Sequence, residues 1–224
     1  MSEYKKHYEN FSRNVEYAAR TWHHSLHLNK RAKDDEKILK ALNRAPRFWL
    51  DQRYSALQTT IIFLGKIFDK AKRAHSVDKT IKAAAGEVGH FNRESLRARK
   101  VKIGGVFQGI DEYIDNASDL SSEDIKIINA EIEKAKVIWD RIKPLRDKVY
   151  AHNAMISEKE SGALFEVVKY ADISSTLQIL LNVSNALWQA ENNGRKPDFS
   201  NQHTRPIDWA KKDIEDLIGS LLHL

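Results

Sequence analysis

Apolar side chains recur every three or four residues along most of this chain and almost never alternate in twos, so the chain can bury itself only as packed helices. The first stripe runs Tyr4, Tyr8, Phe11, Val15, Ala18, Trp22 and Leu26. A shorter helix is expected over about 32 to 44. Pro46 then suits the first turn of a helix over roughly 46 to 74, with the stripe Tyr54, Leu57, Ile61, Leu64, Phe68 and Ala71. Around Thr60-Ile61-Ile62-Phe63-Leu64 the apolar residues wrap most of the circumference, which predicts that this helix is the central one. Short helices interrupted at Gly89 and Gly104-Gly105 are expected over 76 to 116. Ser121 or Ser122 opens a long helix whose stripe is Ile125, Ile128, Ile132, Ala135, Trp139, Ile142, Leu145 and Val149. Pro144 lies inside it and predicts a kink. Leu164-Phe165-Glu166-Val167-Val168 is the single run readable as a strand, and a helix follows over about 171 to 191. The expected architecture is all-α: a helical bundle over 1–192, a linker over 193–206 rich in Asn, Lys and Pro, and an extra C-terminal amphipathic helix over 207–224. That last helix carries Ile207, Ala210, Ile214, Leu217, Leu221 and Leu224 in heptad spacing and must dock on the bundle or on a partner.

With no cysteine among 224 residues, disulfides, thiolate nucleophiles and cysteine zinc sites are excluded, and a reducing cytoplasm is the expected compartment. No apolar stretch has the length of a signal peptide or a membrane span, so no membrane association is expected. A formal charge of +6 gives a mild attraction to polyanions.

Chemistry concentrates where the long helix ends, in Arg146-Asp147-Lys148-Val149-Tyr150-Ala151-His152-Asn153. Arg grips a phosphate through paired hydrogen bonds, and His moves protons near neutral pH, which suits phosphodiester chemistry without a metal or other cofactor. Arg20 and His27 repeat a similar spacing, but within the first helix, and are read as coincidence. The pattern at Arg146 to His152, taken with Phe48-Trp49-Leu50 through Ser55-Ala56-Leu57 to Phe68-Asp69, resembles the abortive-infection, AbiU-type branch of the HEPN domains over residues 1 to 192. The resemblance implies an antiparallel helical bundle, a homodimer, and metal-independent cleavage of RNA in a groove shared by two copies of the motif. It also implies an antitoxin or nucleotidyltransferase as a candidate partner. Some HEPN toxins carry Tyr two places after the His; here that position is Ala154.

In a regular helix, six positions leave Arg146 and His152 about 120° apart around the axis and about 9 Å along it. They flank the stripe near Leu145 and Val149, where a symmetry-related helix would bring a second pair alongside. The expected catalytic residues are therefore His152 as general acid or base, Arg146 on the scissile phosphate, and Asp147 orienting Arg146. Tyr150, Lys148 and Asn153 are the candidate RNA contacts, Tyr150 by donation to phosphate or by stacking. The same residues also read as a helix-capping His beside a surface ion pair, which would leave a non-catalytic scaffold that binds nucleic acid or protein. A helical adaptor docking through 207–224 is a third reading.

Elsewhere, His23 and His27 have the spacing of a helical metal pair but lack the Glu of a zinc-protease motif, and read as surface or partly buried histidines. Arg93, Arg97, Arg99, Lys100 and Lys102 read as a solvated helix face, and Gly104-Gly105-Val106-Phe107-Gln108-Gly109 as a turn.

Overall fold

The computed structural model describes residues 2–151 and 158–222. Among these, all regular structure is helical, and the fold is a helical bundle. Helix α1 (Glu3–Asp34) starts where the Ser2 hydroxyl accepts the Lys5 N–H. Its residues Tyr4, Tyr8, Phe11, Val15, Ala18, Ala19 and Trp22 are buried. The expected break near 32 falls at Asp35, whose extended backbone stops α1 and whose carboxylate caps α2 (Glu36–Leu42) through the Lys37 N–H.

Helix α3 (Pro46–Ile67) ends at Phe68, short of the expected 74. The Asp69 carboxylate accepts the Ala71 N–H, which favours a turn over another helical hydrogen bond. Lys79 then satisfies the carbonyls of Ala71, Lys72 and Ala74 with its ammonium group, so the connection closes without a helix. Helices α4 (Val77–Gly86), α5 (Arg93–Gly104) and α6 (Ile110–Asp115) follow, with a 3₁₀ turn over Val88–Phe91. The glycine-rich stretch is a turn, as expected, with Gly105 and Gly109 at positive φ.

Helix α7 (Ser122–Leu145) opens with a reciprocal cap in which Ser121 and Asp124 satisfy each other's backbone N–H. A π-helical turn covers Arg146–Ala151, and α8 spans Glu158–Val167. The strand-like run thus lies mostly inside a helix. Leu164, Phe165 and Val168 lean on the core, and no strand offers the run a ladder among the described residues. Helix α9 (Tyr170–Asn193) stops at Gly194 in the left-handed conformation, where an added Cβ would lie 2.5 Å from the Ala117 Cβ. Residues 194–204 are fastened to the bundle. The Gly194 carbonyl accepts the Ser118 N–H, Asn182 accepts the His203 N–H, and Phe199 packs on the core.

The central element is α1, not α3. Helices α2, α3, α4, α9 and α10 (Arg205–Leu222) all pack against α1, whereas Phe48, Leu50 and Tyr54 of α3 are at least half exposed. Only the C-terminal half of α3, with Ile61, Leu64, Gly65 and Ile67, enters the core. Local hydrophobicity near Thr60 therefore overstated the burial of the whole helix.

Helix α10 lies along α1 with Ile207, Ala210, Ile214 and Ile218 buried. Ile218 replaces the expected Leu217 because a straight helix drifts from a strict seven-residue repeat. Leu224 lies outside the described residues. The histidines of α1 explain part of this docking. His24 pairs with Asp213 at 3.0 Å, and His27 and Arg31 share Glu215. His23 is turned inward. Burial, with Lys211, His24 and His27 adding to it, pushes its pKa down to about 4.

That shift makes stability depend on pH. The unfolded chain binds a proton at His23 as pH falls through the ordinary value of 6.5, while the folded chain resists until about 4. Stability present above the ordinary value is therefore lost across this window. Urea midpoints measured at about pH 7.5 and about pH 5 should fall further apart in the wild type than in His23→Gln.

Candidate functional site

Pro144 decides the geometry at the end of α7. It has no N–H to offer the carbonyl four residues back, so the helical ladder weakens one turn before the motif. The chain answers with a wider turn over Arg146–Ala151 rather than the simple kink expected. Leu145, buried beneath, anchors the entry. Within Arg146–Ala151 the regular-helix spacing accordingly does not apply, because each residue of a π turn advances through a smaller angle.

Arg146 lies across α3 at Gly65. A Cβ on Gly65 would stand 2.6 Å from Nε, 3.0 Å from Cδ and 3.2 Å from Cζ of Arg146. The guanidinium can rest there only because position 65 has no side chain. Its Nη1 donates to Asp147 Oδ1 at 2.9 Å, and both side chains are about one-third exposed. Asp147 therefore stands beside Arg146, as the sequence suggested.

Tyr150 points the other way. Its ring packs between Tyr54 and Phe165, with centroids 5.8 and 6.2 Å away, and its hydroxyl is shielded from solvent without a hydrogen-bond partner among the described residues. Burial pushes the phenol pKa well up, with Tyr54 and Tyr170 adding to the shift, so it stays neutral. In this arrangement the hydroxyl is closed off while the ring is part-exposed. Lys148 is exposed. His152 and Asn153 lie outside the described residues.

Beside this turn, Trp22, Leu50, Arg53, Tyr54, Leu57 and Tyr170 line an open cleft of about 250 Å³. Arg53 Nη2 donates to the Tyr170 hydroxyl at 2.9 Å, and Trp22 meets the Tyr170 ring edge-on. Sequence reasoning missed this cluster and missed Gly65. The signal for Gly65 was present: a lone glycine inside an apolar helix costs about 1 kcal/mol relative to Ala and calls for a packing reason.

The basic run on α5 is a solvated face in part, with Arg93, Arg97 and Lys102 exposed, but four of its five cations also bond to neighbouring residues. Arg93 donates to the Ala117 carbonyl, and Arg97 pairs with Asp111. Arg99 donates to the His90 and Glu191 carbonyls, and Lys100 reaches Asn193 and the Tyr113 ring. These cations tie α5 to its neighbours. Among the described residues, no three His, Cys, Asp or Glu side chains are grouped to hold a metal ion, and no helix is long and apolar enough to cross a membrane.

The family model HEPN_AbiU2, described as AbiU2, matches residues 1–216. This chain belongs to the AbiU2 family of HEPN proteins. Neither a curated protein nor a solved structure matches it. The AbiU2 match spans all of α1 to α9 and most of α10, so family membership takes in both the Arg146 turn and the α3 glycine beneath it.

Two substitutions test this geometry in the AbiU2 protein. In wild type, Gly65→Ala sets the helix propensity of Ala, about 1 kcal/mol, against displacement of Arg146. In an Arg146→Ala background the same change should stabilise by about 1 kcal/mol, since nothing then opposes it. Denaturant unfolding of the four variants measures the difference. Tyr150→Phe removes a buried hydroxyl without a partner and should raise stability or leave it unchanged; a loss above about 1 kcal/mol would show that the hydroxyl is bonded.

Proposed function

We propose that this AbiU2-family protein is a metal-independent endoribonuclease of a bacterial abortive-infection or toxin–antitoxin system, acting as a homodimer. The observation that supports this reading most is the seating of Arg146. A glycine opens the space it occupies, and its Nη1 donates to Asp147 at the end of the motif helix. An arginine positioned at this cost in packing suits a phosphate, whose charge rises in the transition state.

In the proposed reaction His152 of one copy takes the proton of a ribose 2′-hydroxyl. The 2′-oxygen attacks phosphorus, the bond to the 5′-oxygen breaks, and the second copy's imidazole protonates that leaving oxygen. Arg146 binds the non-bridging oxygens as charge builds on them. The products are a 2′,3′-cyclic phosphate and a 5′-hydroxyl. Lys148 and Asn153 serve as further RNA contacts, and Tyr150 joins them only if it swings out of its packing. Control by an antitoxin or a nucleotidyltransferase partner belongs to the same proposal.

A second reading, binding without cleavage, draws on the Arg146–Asp147 pair, because the carboxylate competes with phosphate for the guanidinium. One experiment separates the two. Purified wild type, Arg146→Ala and His152→Ala are incubated with total RNA in excess chelator, and cut ends are mapped. Cyclic-phosphate ends from wild type are expected, with each substitution slowing cleavage by roughly 10²- to 10³-fold. Intact RNA with wild type, or cleavage that proceeds unchanged in His152→Ala, overturns the ribonuclease reading.

A further inference from the structure

A groove of about 630 Å³ runs between α1, α9 and the start of α10, and none of its lining comes from the Arg146 turn. Two indoles stand in its walls, Trp188 at 44% and Trp209 at 43% exposed. Each keeps about two-fifths of its surface in water, which is unfavourable for an aromatic side chain. Three guanidiniums accompany them. Arg205 lies over the Trp209 ring, with Cζ 4.5 Å from its centroid. Arg13 donates to Asn10 alone. Arg20 has its Nε shielded from solvent with no acceptor, and a shielded donor without a partner calls for one.

None of the three is ion-paired among the described residues. Glu9 and Glu16 also line the groove; Glu16 accepts from Ser12 and acts on His203, and neither carboxylate is ion-paired with these guanidiniums among the described residues. The arginine read as a chance match in the sequence thus lines this groove with a shielded donor. Exposed indoles and guanidiniums without an ion pair in one groove fit a chain of bases joined by phosphates. A paired duplex hides its base faces and fits less well.

We propose that this groove binds single-stranded RNA, with Trp188 and Trp209 stacking on bases and Arg13, Arg20 and Arg205 holding the intervening phosphates. Its service as a holding site for the strand cut at the Arg146 turn rests on the proposed ribonuclease activity; the binding itself does not.

The test uses the full chain in chelator and a fluorescent 2′-O-methyl oligouridine, which cannot form a cyclic phosphate. Anisotropy should report binding by wild type, with quenching of tryptophan fluorescence. Trp188→Ala and Trp209→Ala should each weaken binding roughly 5- to 150-fold, and Trp188→Phe should recover most of the loss. Arg20→Ala should lower the slope of log affinity against log salt by about 0.7. Arg146→Ala should weaken binding less than either tryptophan variant. Absence of binding by wild type, or binding indifferent to both tryptophans and Arg20, overturns the proposal. Binding lost in Arg146→Ala alone would reject the groove and spare the ribonuclease. Groove-dependent binding by a wild type that cuts no RNA would do the reverse.

Discussion

The fold depends on the burial of α1. A helix of 32 residues with an apolar residue at nearly every turn from Tyr4 to Trp22 can be stable in water only when neighbours cover it on several sides. Helices α3, α4, α9 and α10 provide that cover. Because α1 serves all of them, the groove at Trp188 and the cleft at Tyr170 are spaces left where neighbours of one helix diverge.

The candidate site has a different origin, since it lies where helical order gives way. Pro144 weakens the ladder of α7, the chain widens over Arg146–Ala151, and Leu145 keeps the turn pressed on the bundle. The wide turn distributes the motif's side chains to both sides. Arg146 goes to the backbone of α3 and Tyr150 into the aromatic cluster with Tyr54 and Phe165. Electrostatics adds little beyond one ion pair at about one-third exposure, which contributes modestly to stability. Packing holds the guanidinium in place.

Much of this was legible in the residues. Periodicity located α1, α7 and α9 because each buries one continuous face, and Ser121 with Asp124 announced the start of α7. The errors arose where side chains act on distant backbone. Lys79 closing the turn after α3 is invisible to a local pattern, and so is the set of carbonyls that claims the α5 arginines. The run at Leu164 looked like a strand because β-branched and aromatic residues cluster there, yet strand propensity has no outlet without a partner strand. At the site, Arg146 and Asp147 were readable as a pair. The inward turn of Tyr150 was not, because it follows from a change of helical register.

Gly65 carries no functional group, yet its emptiness is what Arg146 occupies. A hydrogen atom at that position is therefore as much a part of the site's specification as the charge it accommodates. Searches that rank positions by reactive chemistry will pass over it, and a variant altered there can keep every polar residue of the motif while the arginine no longer reaches its place.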